Sequence, residues 1–139
     1  MTLSIAPDEL LARNPGGVVN SLGVTHLHTT PTLASHLDPQ ESTSVKYLFT
    51  SGEALTAKVH RDWAGHGLYY RYSPCGIAGL CTTPVKIDTS SVSTIIGQPL
   101  KNTSAVIIAD KAGFNLLPLG AVGLLCFGGD QLVSSEKRL

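Results

Sequence analysis

Two turns in the middle of the chain carry the residue types most able to do chemistry. Ser51-Gly52-Glu53 follows the apolar run at residues 47–50, and Pro74-Cys75 follows the apolar run at residues 68–72. Both runs are short, rich in aromatic and aliphatic residues and closed by turn-forming residues, which is typical of buried strands. Ligands of open α/β sheets bind where such strands end, because backbone donors and helix N-termini are exposed there. We therefore expect a ligand site at these turns.

A helix is predicted between the two apolar runs. Leu55, Val59 and Trp63 recur at positions i, i+4 and i+8, which places one apolar stripe on a helix that begins at Thr56. The segment is thus a strand, a helix and a second strand, the repeating unit of a parallel sheet.

The N-terminal part of the chain extends this alternation. Another strand is predicted at residues 24–28. The helix that follows it is predicted to have its cap and first turn at Thr30-Pro31. Two leucines of the predicted helices are expected in the core: Leu22 and Leu33. This part of the chain predicts an α/β fold with a largely parallel sheet and flanking helices.

The character of the sequence changes near residue 90. A Ser/Thr-rich loop is followed by short β-like segments at residues 105–109 and 123–127, with a plausible hairpin turn at residues 110–113. We therefore expect an α/β part over residues 1–90 and a strand-only part over residues 91–139.

Composition and charge exclude several classes of protein. The 139 residues are enough for one domain with a core, and ten basic residues balance ten acidic ones. No nucleic-acid partner is expected, because the only basic cluster is Lys137-Arg138 beside Glu136. No membrane association is expected either, since no apolar run approaches the roughly 20 residues of a span. Three cysteines without paired metal-ligand spacing are most simply explained by a reducing cytoplasm.

The two turns are part of a longer series of motifs. The series is Ser51-Gly52-Glu53-Ala54-Leu55, Tyr72-Ser73-Pro74-Cys75-Gly76, Ile96-Gly97-Gln98-Pro99-Leu100 and the glycine-rich run at residues 117–129. In order and spacing these motifs resemble the core motifs of the adenylate-forming superfamily, of which the first two are Gly-Gly-Glu-Ala-Leu and Tyr-Gly-Pro-Thr-Glu. Within that superfamily the chain is most similar to the adenylation domain of nonribosomal peptide synthetases.

The resemblance implies a fold and an activity. The fold is a slice of the N-terminal domain of these AMP-binding enzymes, in which the α/β part is followed by a small β-barrel-like part. The activity is ATP-dependent ligation: the carboxylate of an amino acid or other acid attacks the α-phosphate of ATP, which yields an acyl-adenylate and pyrophosphate. The acyl group then passes to a thiol, and the implied partner is a carrier-protein domain. ATP or AMP and Mg²⁺ are the implied ligands.

The resemblance also implies roles for individual residues. Nucleotide binding is implied for five of them: Gly52, Glu53, Ala54, Tyr72 and Cys75. The first turn matches the segment that lies against adenine, Tyr72 matches the tyrosine that packs beside the base, and Cys75 matches a threonine that meets phosphate. The pocket for the substrate acid is implied for six positions: His28, Phe49, Ser51, Arg71, Gly79 and Leu80.

The sequence departs from the family at the reacting centre. Gly76 stands where the family has its magnesium-binding glutamate, and Cys75 is a poor hydrogen-bond donor to phosphate. The chain also contains no Gly/Ser/Thr-rich phosphate loop with its lysine. We therefore expect an internal fragment of an adenylation domain that is catalytically inactive and binds neither nucleotide nor metal tightly. The alternative is a non-catalytic nucleotide- or acyl-binding remnant or interaction module.

Three features allow a second interpretation. His26 and His28 share one strand face and could hold a metal, but a packed or hydrogen-bonded pair is favoured because no third ligand has suitable spacing. Cys75 could act as a nucleophile with His66 as its base, although an inert thiol is favoured. Arg71 lies in an apolar run, so its charge needs a partner or a ligand unless the side chain reaches solvent.

Overall fold

The structure of the protein, a computed structural model, divides the chain into two compact units. The first unit comprises Met1–Arg71 with Pro84–Gly97, and the second comprises Tyr72–Thr83 with Gln98–Leu139. The structure describes residues 2–77, 79–92, 94–109, 114–130 and 132. No helix within these ranges has the length and apolar character needed to cross a bilayer.

The first unit is an α/β layer. Its elements are α1 (Asp8–Arg13), α2 (Pro15–Ser21), β1 (His26–Thr29), α3 (Pro31–Ala34), β2 (Tyr47–Thr50), α4 (Ala57–Trp63), β3 (Leu68–Tyr70) and β4 (Val85–Ile87). The sheet has the order β1-β2-β3-β4, in which β1, β2 and β3 run parallel and β4 runs antiparallel to β3. The predicted α/β fold with a largely parallel sheet is confirmed.

The helices that follow β1 and β2 begin at the predicted caps. The Thr30 hydroxyl accepts a hydrogen bond from Leu33 N at 3.3 Å, and the Thr56 hydroxyl accepts one from Val59 N at 3.2 Å. Each cap satisfies a backbone donor that a helix start would otherwise leave unpaired. The caps therefore fix where the chain turns after each strand.

One face of the sheet packs against the helices. The core cluster contains the strand residues Leu48, Leu68, Tyr70 and Ile87 together with Val19, Ala34, Val59 and Trp63 from α2, α3 and α4. Trp63 is 1% exposed, and its indole N–H donates to the Leu37 carbonyl at 3.2 Å, so burial leaves no unpaired donor on the ring. This layer holds the strands in place from one side.

Two core predictions for the first unit were wrong. Leu22 is 44% exposed and Leu33 is 43% exposed. Leu22 lies at the C-cap of α2, one residue beyond the last helical turn. Leu33 belongs to a helix of a single turn whose buried residues are Pro31 and Ala34, so its side chain faces away from the core.

The second unit contains a two-stranded antiparallel sheet. Strand β5 spans Thr103–Ile108 and β6 spans Leu124–Gly129, with Thr103 paired to Gly129 and Ile108 paired to Leu124. The strands expected near residues 105–109 and 123–127 are confirmed to within two residues at either end. The described residues of this unit form no closed barrel. The hairpin turn expected at residues 110–113 lies outside the described residues.

Candidate functional site

The carboxyl ends of the parallel strands meet at one edge of the first unit's sheet. The backbone pairing continues one residue beyond each strand: Ser51 N donates to Thr29 O at 3.3 Å, and Arg71 N donates to Thr50 O at 2.9 Å. Ser51 and Arg71 are thus held by the sheet itself, which positions a side chain more firmly than a loop does.

Four of the six predicted pocket residues lie in this unit, and the structure brings them together. His28 Nε2 lies 2.8 Å from the Ser51 hydroxyl oxygen, so these two side chains share a hydrogen bond. The guanidinium carbon of Arg71 lies 4.3 Å from the centre of the Phe49 ring, a cation–π contact. The other two, Gly79 and Leu80, belong to the second unit.

Aromatic rings cover the sheet face that carries these residues. The rings of Phe49 and Tyr69 lie 5.1 Å apart, those of Tyr69 and Tyr47 6.2 Å apart, and those of Tyr47 and His26 4.6 Å apart in a stack. Tyr47 is 39% exposed, and Phe49 and Tyr69 are half-buried. The face therefore offers an apolar surface of mutually tilted rings that ends at the Arg71 guanidinium.

The two basic side chains of this face, His28 and Arg71, differ in charge. Partial burial, and after it the positive charge of Arg71, lowers the pKa of His28 below its ordinary value of 6.5, which favours the neutral imidazole at pH 7. The Arg71 guanidinium is positively charged, and its Nε is excluded from water without a hydrogen-bond partner in the described structure. Arg71 thus carries the fixed charge beside the His28–Ser51 pair.

The two histidines of β1 have separate partners. His26 Nδ1 lies 2.9 Å from the Thr25 hydroxyl, and its ring stacks on Tyr47, whereas His28 contacts Ser51. Within the described ranges, no group of three His, Cys, Asp or Glu residues could hold a metal ion.

The turn after β2 is fastened by Glu53. Its carboxylate oxygen Oε2 accepts hydrogen bonds from Thr32 N at 3.0 Å and from the Thr32 hydroxyl at 2.6 Å, and its carbonyl accepts one from the Tyr70 hydroxyl at 3.0 Å. Glu53 therefore links the segments that follow β1 and β2 to the end of β3. Gly52 has φ +85°, a conformation that favours glycine, and a Cβ there would meet no atom within 4 Å. The backbone of this turn is consequently open to a ligand.

The second turn is built differently. The Tyr72 ring stacks on Phe127 with centroids 5.9 Å apart, and Tyr72 N donates to the Thr82 hydroxyl at 3.0 Å. Cys75 is an exposed free thiol, and Gly76 has φ +91° with open space around its α-carbon. A site for Mg²⁺ does not fit this turn, because neither Cys75 nor Gly76 offers the side-chain oxygen ligand that Mg²⁺ prefers.

Sequence reasoning missed two hydroxyl residues and a phenylalanine. They are Thr32, Thr82 and Phe127. The signal for Thr32 was its place in the first turn of a capped helix directly after a strand, where carboxylates are commonly bound. Thr82 and Phe127 gave no comparable signal, since no local sequence pattern links either residue to Tyr72.

Comparison with known proteins gives consistent results. The family model described as AMP-binding enzyme matches residues 1–135. The chain is 44% identical over 132 residues to the nonribosomal peptide synthetase sidC of Arthroderma benhamiae, covering 95% of this chain and 3% of that protein. It is 43% identical over 130 residues to nonribosomal peptide synthetase 2 of Cochliobolus heterostrophus, covering 94% of this chain and 2% of that protein. The chain thus spans only a few per cent of the length of these relatives.

The fold is shared with a solved structure. ATP-bound MatB from Rhodopseudomonas palustris superposes with a TM-score of 0.65 at 21% identity, covering 95% of this chain and 26% of that one. At this identity the similarity establishes the fold alone.

Proposed function

Because this chain belongs to the AMP-binding enzyme family, we propose that it forms part of a cytoplasmic adenylation domain that activates an amino acid or other carboxylic acid with ATP for nonribosomal peptide synthesis. In this proposal residues 1–90 are the α/β part of the domain and residues 91–139 begin its β-strand subdomain. A carrier-protein domain receives the activated acyl group.

The observation that carries the proposal is the cluster at the carboxyl edge of the sheet. His28, Ser51 and Arg71 present polar groups there, and Phe49 supplies an apolar surface between them. Apolar walls with a few fixed polar groups are the usual composition of a small-molecule site. Gly79 and Leu80 are assigned a role in acid binding by their motif positions alone.

The turn after β2 is suited to the adenosine part of a nucleotide. Gly52 leaves the backbone open, while Glu53 is held by Thr32, so its carboxylate is engaged within the protein. Ala54 and the Tyr72 ring are the further contacts that we assign to the base. ATP itself supplies the α-phosphate that the acid attacks and the pyrophosphate that leaves. Phosphate and metal contacts are weak in these residues, because Cys75 and Gly76 replace the oxygen-bearing side chains of the family motif.

A second candidate follows from Gly76. A glycine has no side-chain carboxylate to ligate Mg²⁺, which favours a non-catalytic nucleotide- or acyl-binding module with no ligase activity. The two candidates share the adenosine site and differ in the response to the phosphates.

The test is a titration of the purified 139-residue chain with adenosine, AMP and Mg-ATP, with cytidine as the base control. We expect weak binding of all three adenine ligands, little gain from the added phosphates and no binding of cytidine. A Gly52→Val variant should lose adenosine, whereas Gly65→Val, which has a similar φ of +90° and open space around it, should retain it. Equal binding of cytidine would contradict the adenosine site, and a strong magnesium-dependent preference for ATP would contradict the second candidate.

Catalysis is tested separately by pyrophosphate exchange over the common amino acids. We expect the background rate both for the unmodified chain and for the double variant Cys75→Thr/Gly76→Glu. Each missing contact to the charge that develops in the transition state lowers the reaction rate by a factor on the order of 10² to 10³. The double variant still contains no phosphate loop within its 139 residues. Clear exchange by the unmodified chain would contradict this expectation.

A further inference from the structure

We propose that Thr32 is a positioning residue of the nucleotide site. Its two hydrogen bonds to the Glu53 carboxylate hold the turn at residues 51–54, in which Gly52 is open to the adenosine part of a ligand. This inference deepens the proposed function, on which it rests, by naming a residue outside the chain's motifs that orders the nucleotide-binding turn.

The Glu53 carboxylate is bound by two donors of one residue. Thr32 N lies 3.0 Å and the Thr32 hydroxyl oxygen 2.6 Å from the same carboxylate oxygen, Oε2. An ionised carboxylate only accepts, so both Thr32 groups donate, and the shorter distance is typical of a charge-assisted hydrogen bond. Thr32 lies in the first turn of α3, where backbone N–H groups have no partner within the helix. Both donors are therefore available to an acceptor outside the helix.

The main chain of Glu53 is held separately from its side chain. The Tyr70 hydroxyl donates to the Glu53 carbonyl at 3.0 Å, and Tyr70 is 6% exposed in the core of the first unit. On the other side of Gly52, the backbone N–H of Ser51 donates to β1 at 3.3 Å. Both neighbours of Gly52 are thus attached to the sheet, and the side-chain bonds of Glu53 add the attachment to α3.

Gly52 is the residue whose conformation depends on these attachments. It has φ +85°, which glycine adopts readily, and a Cβ there would meet no atom within 4 Å, so no packing around its α-carbon holds it. Ordering the backbone of one residue costs a free energy that corresponds to a roughly 5- to 30-fold change in affinity. A ligand that binds a turn already ordered avoids this cost.

The Thr32 hydroxyl can be removed without removing core packing. Thr32 is exposed, whereas Pro31 and Ala34 of the same helix are buried and hold α3 against the first unit. Loss of the hydroxyl should therefore release the Glu53 carboxylate while the core stays in place. The effect on the turn can then be measured apart from an effect on folding.

The experiment measures adenosine affinity and the order of Gly52 in variants of the ¹⁵N-labelled 139-residue chain by NMR. We expect Thr32→Val to weaken adenosine binding roughly 5- to 30-fold. Without ligand, the order parameter of the Gly52 amide should fall from about 0.85, typical of rigid backbone, towards about 0.6. Thr32→Ser keeps the hydroxyl, so it should retain the order of Gly52 and an affinity within about twofold of the unmodified chain.

Two further variants separate positioning from a loss of structure. Thr30→Val removes the cap of the same helix, where the Thr30 hydroxyl accepts from Leu33 N at 3.3 Å, and keeps both donors to Glu53. It should lower the urea midpoint at least as far as Thr32→Val does, yet leave adenosine affinity within about twofold. Glu53→Ala removes the acceptor, so adding Thr32→Val to it should cause no additional loss of affinity.

Each of three results would overturn the inference alone and leave the proposed function standing, provided that the unmodified chain binds adenosine. They are an unchanged affinity or an unchanged Gly52 order parameter in Thr32→Val, an equal loss of affinity in Thr30→Val, and additive losses in the Thr32→Val/Glu53→Ala double variant. Failure of the unmodified chain to bind adenosine would overturn the proposed nucleotide site, and the role of Thr32 with it.

Discussion

Leu48 and Phe49 are neighbours on β2, yet they lie on opposite faces of the sheet with different surroundings. Leu48 is fully buried in the cluster that includes Trp63, whereas Phe49 is half-buried and holds the Arg71 guanidinium. The same alternation separates Tyr70, in the core, from Tyr69, on the aromatic face. One face therefore supplies stability and the other presents the proposed binding groups, so substitutions on the two faces should have separable effects.

The largest effect is expected from Trp63→Ala on the covered face. Loss of the ring leaves a cavity and an unpaired Leu37 carbonyl, and such changes cost about 3–5 kcal/mol of unfolding free energy. Urea denaturation followed by circular dichroism measures it. Phe49→Ala on the aromatic face is the matched control and should cost less than half as much, because Phe49 is only half-buried. Similar losses for the two variants would contradict the division between the faces.

A smaller loss is expected from Gly67→Ala, which disturbs the start of β3. Gly67 has φ +76°, and an added Cβ would lie 2.1 Å from the Lys46 carbonyl oxygen, so the backbone pairing with β2 must shift. We expect a loss of roughly 2–3 kcal/mol from strain and displacement. Gly65→Ala, at φ +90° with no atom within 4 Å, isolates the backbone strain and should cost about 1 kcal/mol. Equal melting temperatures for the two variants would show that the close approach does not matter.

The sequence predicted the helix-covered face of the sheet only in part. The i, i+4, i+8 spacing of Leu55, Val59 and Trp63 predicted α4 and its buried stripe, since burial of a repeating pattern is a local property of the sequence. Leu33 was misplaced because the same kind of pattern does not reveal that α3 ends after one turn. The antiparallel β4 was not anticipated, because pairing with β3 is a tertiary choice.

The candidate site was only partly predictable for a related reason. The motifs named His28, Ser51 and Arg71, but not which side chains would contact one another. The His28–Ser51 bond and the Arg71–Phe49 stack depend on strand register, which sets neighbours 22 or more residues apart in sequence. The bond from Thr32 to Glu53 depends likewise on the parallel order of β1 and β2.

The hydrogen bonds between the Glu53 carboxylate and Thr32, which hold the turn after β2, are tested by Glu53→Gln. The amide oxygen can still accept one bond from Thr32 but without charge, so we expect a loss of about 1 kcal/mol and a weaker affinity for adenosine. Glu9→Gln in the exposed first turn of α1 is the control. Unchanged adenosine affinity in Glu53→Gln would indicate that the turn keeps its conformation without the carboxylate.

The smallest effect is expected from His28 on the pH dependence of the unfolding free energy. Because the folded-state pKa of His28 is lowered by burial and by Arg71, the unfolded chain binds more protons there below pH 6.5. The contribution of His28 is fully present above pH 6.5, and stability should fall slightly as the pH decreases below it. His28→Gln should reduce this slope in denaturation curves measured from pH 7.5 to pH 5. A slope unchanged in the variant would mean that other groups cause it.

The most direct test of the account maps ligand contacts on the two faces of the sheet. Backbone amide NMR spectra of the 139-residue chain are compared without ligand and with adenosine together with each of the common amino acids in turn. The account predicts shifts concentrated at His28, Phe49, Arg71 and the turn at residues 51–54, with little change at the exposed residues of α1 and α2. Shifts centred on those two helices, with the carboxyl edge of the sheet unaffected, would contradict the assignment of the binding site to this face.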